Sequence, residues 1–535
     1  MRVSFLIRYG LVFAASLSIA ACGIGGGGSA SITTQPVNQS VTAGQTATFS
    51  VTVTTTGTPV PLSYQWYKNG MAIAAATSSS YTTNATTLAD NGSTFYVVIA
   101  SVGMNTLTSN TTTLTVLPPW AGTRQSGVAG ATTTASGIAT DAWGNVYVTG
   151  CTDGGLDGNT LTGTLDFFLT RYDSSGQKLY TRQLGAIGQR TCAYGVAVDA
   201  SGNLYITGWT SGGLDGNTVT GTVDFFLTKY DSGGQKLYTR QSGVAGSATP
   251  ASGVAVDSSG NVYVAGQTSG GLDGNARAGY YDLFLTRYDS NGQKQYTRQL
   301  GASGAYVFAQ GVATDSNGNI YVTGHTTGGL DGNTLTGSQD AFLTRYDSNG
   351  QRQYTRQWGT SGAHVFAQGL AVDAGGNVHV AGETNGGLDG NTRTGYQDFF
   401  LTRYDSSGQK QYTRQLGAVH FFTSAYGVAT DASSNVYVTG ATGGGLDGNT
   451  LSGPGSTDFF VTRYDSSGQK QYTRQLGVSA DPFINALSTM GKAVVSDARG
   501  NVFVTGDTTG GLDGNTLTGT TDFFLTKYDS SGVKQ

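Results

Sequence analysis

The sequence predicts an all-β chain, and three observations carry that reading. Glycine leads the composition with 83 copies against 8 prolines. Tyrosine reaches 29 copies beside abundant threonine and valine, residue types that suit a pleated, half-buried surface. Short apolar runs alternate with Asn, Asp and Gly turn signals after residue 30. At 535 residues the chain exceeds what one core organises, so two or more domains are expected. Charged residues make up only 12% and the net charge is -4, which argues against nucleic acid as a partner.

Residues 1–22 read as an export signal. Arg2 and Arg8 supply positive charge ahead of a short apolar stretch, Leu11 to Ala21, that falls short of a comfortable bilayer span. It ends in Ile19-Ala20-Ala21-Cys22, which resembles a bacterial lipobox. The resemblance implies that Cys22 is diacylated and becomes the mature N-terminus. The membrane would then be met through lipid alone, at about 0.8 kcal/mol per buried CH₂. Gly23 in place of Asp implies onward passage to the outer membrane or cell surface. Ordinary cleavage and secretion is the other reading. Residues 23–30 (GIGGGGSA) form a flexible tether.

Residues 31–117 carry short alternating runs, among them Ala47 to Val51, Leu62 to Tyr67 and Phe95 to Ile99, which predict a small β-sandwich. Gln35-Pro36, Gly44-Gln45, Trp66 followed by Lys68-Asn69-Gly70, and Ala89-Asp90-Asn91-Gly92 resemble bacterial immunoglobulin-like domains. The resemblance makes Trp66 the buried core tryptophan. Val51 and Val97 stand at the usual cysteine positions and Phe95 at the tyrosine corner, so packing alone holds this sandwich. It is either a spacer or a ligand-binding domain.

Residues 118–535 repeat. Thr-Arg-Gln recurs at Thr123, Thr181, Thr239, Thr297, Thr355, Thr413 and Thr473, at intervals of 58 residues and a last one of 60. Each period holds four candidate strands; in the second they are Gly195–Asp199, Asn203–Gly208, Asp224–Tyr230 and Lys236–Gln241. Phe225-Phe226-Leu227 is apolar on successive residues, as a strand covered on both faces requires. The recurring Gly-Val-Ala-Val-Asp-x-x-Gly-Asn-Val-Tyr-Val-Thr-Gly pattern resembles the bacterial seven-bladed β-propeller repeat family. This implies a seven-bladed β-propeller of four-stranded blades. Ser434 replaces a turn glycine in the sixth repeat, and the seventh has a longer segment from Val478 to Met490. Because the sequence stops at Gly532-Val-Lys-Gln535, the segment around Thr123-Arg-Gln125 is expected to supply the last blade's outer strand.

The connections between the second and third strands, and between blades, should share the face on which the copies differ. The residue after the second strand changes in every copy: Cys151, Trp209, Gln267, His325, Glu383, Ala441, Asp507. Trp209, Gln267, His325, Glu383 and Asp507 are candidate ligand contacts, unless the position simply drifts in solvent. Gly-Gly-Leu-Asp-Gly-Asn recurs with Asp157, Asp215, Asp273, Asp331, Asp389, Asp447 and Asp513. These, with the following Asp166 or Asp224, offer oxygen ligands for calcium; ordinary turn chemistry is the competing and preferred reading, and no other cofactor is implied. Cys151 and Cys192 either pair, as export permits, or stay separate thiols. Recurring Arg–Asp pairs such as Arg171 and Asp173 read as blade-packing charges.

The histidines at 325, 364, 379 and 420 show no metal spacing. The functional expectation is therefore a binding or structural module that recognises a protein or glycan through the variable face. The alternative is a propeller hydrolase or lyase using His325 and Glu383.

Overall fold

The computed structural model describes residues 29–56, 61–102, 105–479 and 487–535; Cys22, the signal segment, most of the tether and the middle of the long seventh-repeat segment lie outside them. The chain divides into two compact units, Met1–Pro119 and Trp120–Gln535.

In the first unit the main sheet runs Gln39–Thr42, Thr112–Leu117, Thr94–Ala100, Ser63–Lys68, Met71–Ala72. Its first two strands are parallel. Ser29–Thr34 pairs with Thr52–Thr56, and Thr48–Ser50 with Ser80–Thr82. Alternation in Thr94–Ala100 turns Phe95, Val97 and Ile99 inward, where they meet Trp66, Phe49 and Val51. Trp66 is fully buried, and its Nε1 donates to the Ser78 carbonyl at 3.0 Å, which satisfies the one polar atom of the ring. Phe49 and Phe95 stack with centroids 4.4 Å apart. Val51 and Val97 are both buried in this core.

The second unit contains seven four-stranded antiparallel sheets. In the second sheet the strands are Thr191–Val198, Leu204–Thr210, Asp224–Tyr230 and Lys236–Ser242, in that order. All seven residues of Asp224–Tyr230 are buried, because Phe225 and Phe226 stack on opposite neighbours: Phe225 on Phe284 and Phe226 on Phe167, each at 5.0 Å. Phe168 stacks on Phe523 of the seventh sheet at 5.1 Å, so the first and last sheets are also packed together. The seventh sheet takes its outer strand from the front of the unit: Arg124–Ser126 runs antiparallel to Asp522–Tyr528, with Arg124 opposite Leu525.

The Thr-Arg-Gln signature has a distinct task for each residue. Thr181 Oγ1 hydrogen-bonds Thr170 across the sheet. Arg182 Nε donates to the Gly234 carbonyl in the next sheet's turn at 2.8 Å. Gln183 Nε2 donates to the buried Asp166 carboxylate at 3.0 Å, and its Oε1 accepts from the Leu156 amide. Asp166 also accepts from the amides of Thr162 and Gly163, so it organises a loop inside its own sheet. Arg171 and Asp173, read from the sequence as blade-packing charges, do not bond each other. Arg171 reaches the Ser232 carbonyl of the next sheet, while Asp173 accepts amides of its own turn.

The innermost strand is longer than expected. It begins at Thr191 rather than Gly195, because a bulge between Ala193 and Gly195 lets pairing continue past a residue that alternation alone would have ended on.

Candidate functional site

Every innermost strand carries the same bulge, and one unpaired residue sits at each: Ser136, Tyr194, Ser252, Gln310, Gln368, Tyr426 and Lys492. A bulge re-aims a side chain and bends its strand. Here all seven line one cavity of about 600 Å³ bounded by the innermost strands of all seven sheets. The flanking residues hardly change. They read Ala-x-Gly in six copies and Gly491-x-Ala493 in the seventh. In the second sheet a Cβ on Gly195 would lie 3.1 Å from the Val254 backbone nitrogen, so the close approach of neighbouring strands keeps that flank small. Only the bulged residue is free to vary, and it varies among hydroxyl, amide, phenol and ammonium.

Tyr194 is 40% exposed, leaving its ring open to a ligand. Lys492 Nζ lies 4.6 Å from the Tyr426 ring centroid, a cation–π distance, and 3.4 Å from Met490 Sδ. Gln267 also reaches the cavity, and its Oε1 accepts from Ser252 at 3.3 Å. The sequence pattern placed the start of the innermost strand at Gly195, four residues past its actual start at Thr191, so the bulged position fell outside it. The signal was present as a variable residue inside a constant Ala-x-Gly frame, once per repeat.

Six stretches (122–157, 179–215, 237–273, 295–331, 353–389 and 411–447) match the model of the beta-propeller repeat, and residues 31–105 match that of the immunoglobulin domain. The chain carries beta-propeller repeats behind an immunoglobulin domain. It is 30% identical over 251 residues to the regulatory protein FlaEY of Caulobacter vibrioides, a match covering 40% of this chain and 26% of that protein. The chain thus spans about a quarter of the length of that curated relative. Solved structures similar to it include a rhamnogalacturonan lyase of Bacillus licheniformis, at 14% identity and a TM-score of 0.36, covering 88% of this chain and 86% of that one. A gluconolactonase of Xanthomonas campestris matches at 13% identity and a TM-score of 0.30, covering 62% of this chain and 91% of that one. Both likenesses are too distant to say what this chain binds or does.

The residues expected on an exposed rim of the repeats lie elsewhere. Cys151, Trp209, Gln267, His325, Glu383, Ala441 and Asp507 are each the next-to-last residue within the second strand, and none is freely exposed. The second strand is longer than its apolar run, because its final pairs continue into Asp224-like residues of the third strand. Several of these residues touch the innermost strand of the next repeat. Cys151 is disulfide-bonded to Cys192, with Cα atoms 5.0 Å apart. The His325 ring packs between Phe308 at 5.2 Å and Phe366 at 4.7 Å. Burial pushes the His325 imidazole down to about 4, with the charge of His364 adding to it. Burial likewise raises the Glu383 carboxyl, against hydrogen bonds from Ser424 and Gln397. The Asp507 carboxyl is also raised by burial, against the charge of Lys492. Trp209 lies under the Arg190 guanidinium at 5.6 Å. At Cys151, His325 and Glu383 the variable residue is thus matched to a partner across the seam to the next repeat.

Phe366 packs on His325 and pairs directly opposite Glu383 in the fifth sheet. Two further histidines are taken up by packing, while His420 stands exposed in the connection before the sixth sheet. His364 stacks on Phe366 at 4.5 Å, and His379 Nε2 lies 3.3 Å from Asp373, where Tyr321 bonds Asp315 at 3.2 Å in the previous repeat.

In the Gly-Gly-Leu-Asp-Gly-Asn loops, all seven aspartates adopt the left-handed conformation that Asp tolerates, with φ from 51 to 57 degrees. Asp157, Asp215, Asp273, Asp331, Asp389, Asp447 and Asp513 pair respectively with Lys178, Lys236, Lys294, Arg352, Lys410, Lys470 and Lys534. Asn159 Nδ2 donates to the Leu156 carbonyl at 2.7 Å, closing the turn. Each loop carboxylate already has a cation from its own sheet. Among the described residues no group of three or more His, Cys, Asp or Glu side chains converges as a metal site would.

Proposed function

We propose that this chain is an exported, lipid-anchored binding module whose seven sheets close into one seven-bladed propeller and whose central cavity recognises a glycan or a protein partner. Closure is supported by the Phe168–Phe523 stack and by Arg124–Ser126 serving as the seventh sheet's outer strand. The lipid anchor rests on Cys22 in its lipobox-like setting and gives a place in the cell envelope.

One observation carries the recognition reading. Seven bulged positions around a single cavity differ in chemistry while the residues beside them stay fixed. A scaffold that needed only to stack its sheets would have no use for a phenol, an amide and an ammonium on that wall. Such a cavity, with a few polar groups on a rigid frame, is the ordinary form of a ligand site. The test compares the wild-type chain with a variant carrying Tyr194→Ser, Gln310→Ser, Gln368→Ser and Tyr426→Ser, on an extracellular glycan array and in envelope-protein pull-downs. The wild type should retain a ligand that the variant loses at unchanged melting temperature. Turnover of any array glycan by the wild type, lost with His325→Gln, would instead favour a hydrolase or lyase.

A further inference from the structure

Resting on the central-cavity reading, we infer that the ligand unit held there is a carboxylate-bearing sugar, with its acid group on Lys492 and its ring against Tyr194 or Tyr426. Among the described residues, Lys492 is the one charged side chain that lines the cavity. Among the described residues no carboxylate stands within ion-pair distance of its ammonium. The contacts it makes there, the Tyr426 face and Met490 Sδ, leave ammonium protons unspent. An ammonium is a compact point charge, and a carboxylate is the group that engages it by a short charge-assisted hydrogen bond. Asp507, which feels the charge of Lys492, and Glu383 are the nearby acids; both are largely buried, and neither lines the cavity.

The rest of the wall suits a hydroxylated ring. Gln310 and Gln368 sit on adjacent sheets and each offers a donor and an acceptor, while Ser136 and Ser252 add hydroxyls. The two tyrosines present aromatic faces to the C–H face of a sugar and phenol groups to its hydroxyls. A volume of about 600 Å³ lies in the range of small-molecule sites and leaves room for the end of a short oligosaccharide.

Isothermal titration of the full chain with galacturonic and glucuronic acids, and with galactose and glucose, tests this. The acids should bind at least tenfold more tightly than their neutral counterparts. Lys492→Gln should abolish that preference, Lys492→Arg should keep most of it, and Tyr194→Ala should weaken acid and neutral sugars alike. Equal affinity for acids and neutral sugars, with Lys492→Gln silent and Tyr194→Ala weakening both, would overturn the acid assignment while leaving the cavity as the site. Absence of binding by all four sugars would also overturn it, and the pull-down with the four-serine variant then decides the broader reading separately.

Discussion

Arg298 donates from Nε to the carbonyl of Gly350 at 2.8 Å, across the boundary between the third and fourth sheets, with its guanidinium stacked 4.5 Å over Tyr296. The same bond recurs from Arg124 to Gly176 and from Arg474 to Gly532, so it stitches each sheet to the next, the first included. Arg298→Ala should cost about 1–2 kcal/mol in urea unfolding, and Arg298→Lys should recover little of it, because an ammonium cannot both stack flat and donate along the same line. Full recovery by lysine would mean that charge alone matters there.

The Cys151–Cys192 bond joins neighbouring sheets over a sequence separation of 41 residues. Closing a loop of that length restricts the unfolded chain by about 4 kcal/mol in the chain-entropy model. Dithiothreitol should therefore lower the melting temperature of the wild type and leave that of a Cys151→Ala/Cys192→Ala variant unmoved. The variant should start from the lower value.

Acid should destabilise the fold through His325. Its imidazole is pushed from 6.5 down to about 4 by burial between Phe308 and Phe366. Between those two values the unfolded chain holds a proton that the folded chain does not, so stability falls as pH drops through this window and is unaffected above it. The loss attributable to His325 should reach about 2 kcal/mol by pH 5. Denaturant midpoints at pH 5 and pH 7 should differ less in His325→Phe than in the wild type. An unchanged difference would mean that the ring is protonated in place.

Much of the fold was legible because its rules are local. The doublet Phe225-Phe226 declared a strand covered on both faces, and the Asp-x-x-Gly-Asn hairpins required left-handed glycines such as Gly202, with φ of 81 degrees. Ser434 keeps that conformation at φ 59 without being glycine, which shows the turn imposing itself on its sequence. The site was less legible. A bulge breaks the alternation by which strands are read, so Tyr194 and Gln310 looked like loop residues while they stood on a strand and lined the cavity. Conversely, the variable residue of the second strand looked free. Its real neighbours, such as Phe366 for His325, lie 41 residues away in the next repeat, where no pattern within a single repeat can find them.

The central structural claim is that the segment at the front of the repeats serves as the last sheet's outer strand. Gln125 donates to Asp522 at 3.0 Å and Gln299 to Asp282 at 2.8 Å, the first pair joined across the ends of the unit and the second within one repeat. Melting Gln125→Ala and Gln299→Ala side by side tests the claim most directly. The two should lose similar stability, about 1–3 kcal/mol each, because each leaves a buried carboxylate short of a donor. A chain in which Gln299→Ala is destabilised while Gln125→Ala melts like the wild type would contradict it.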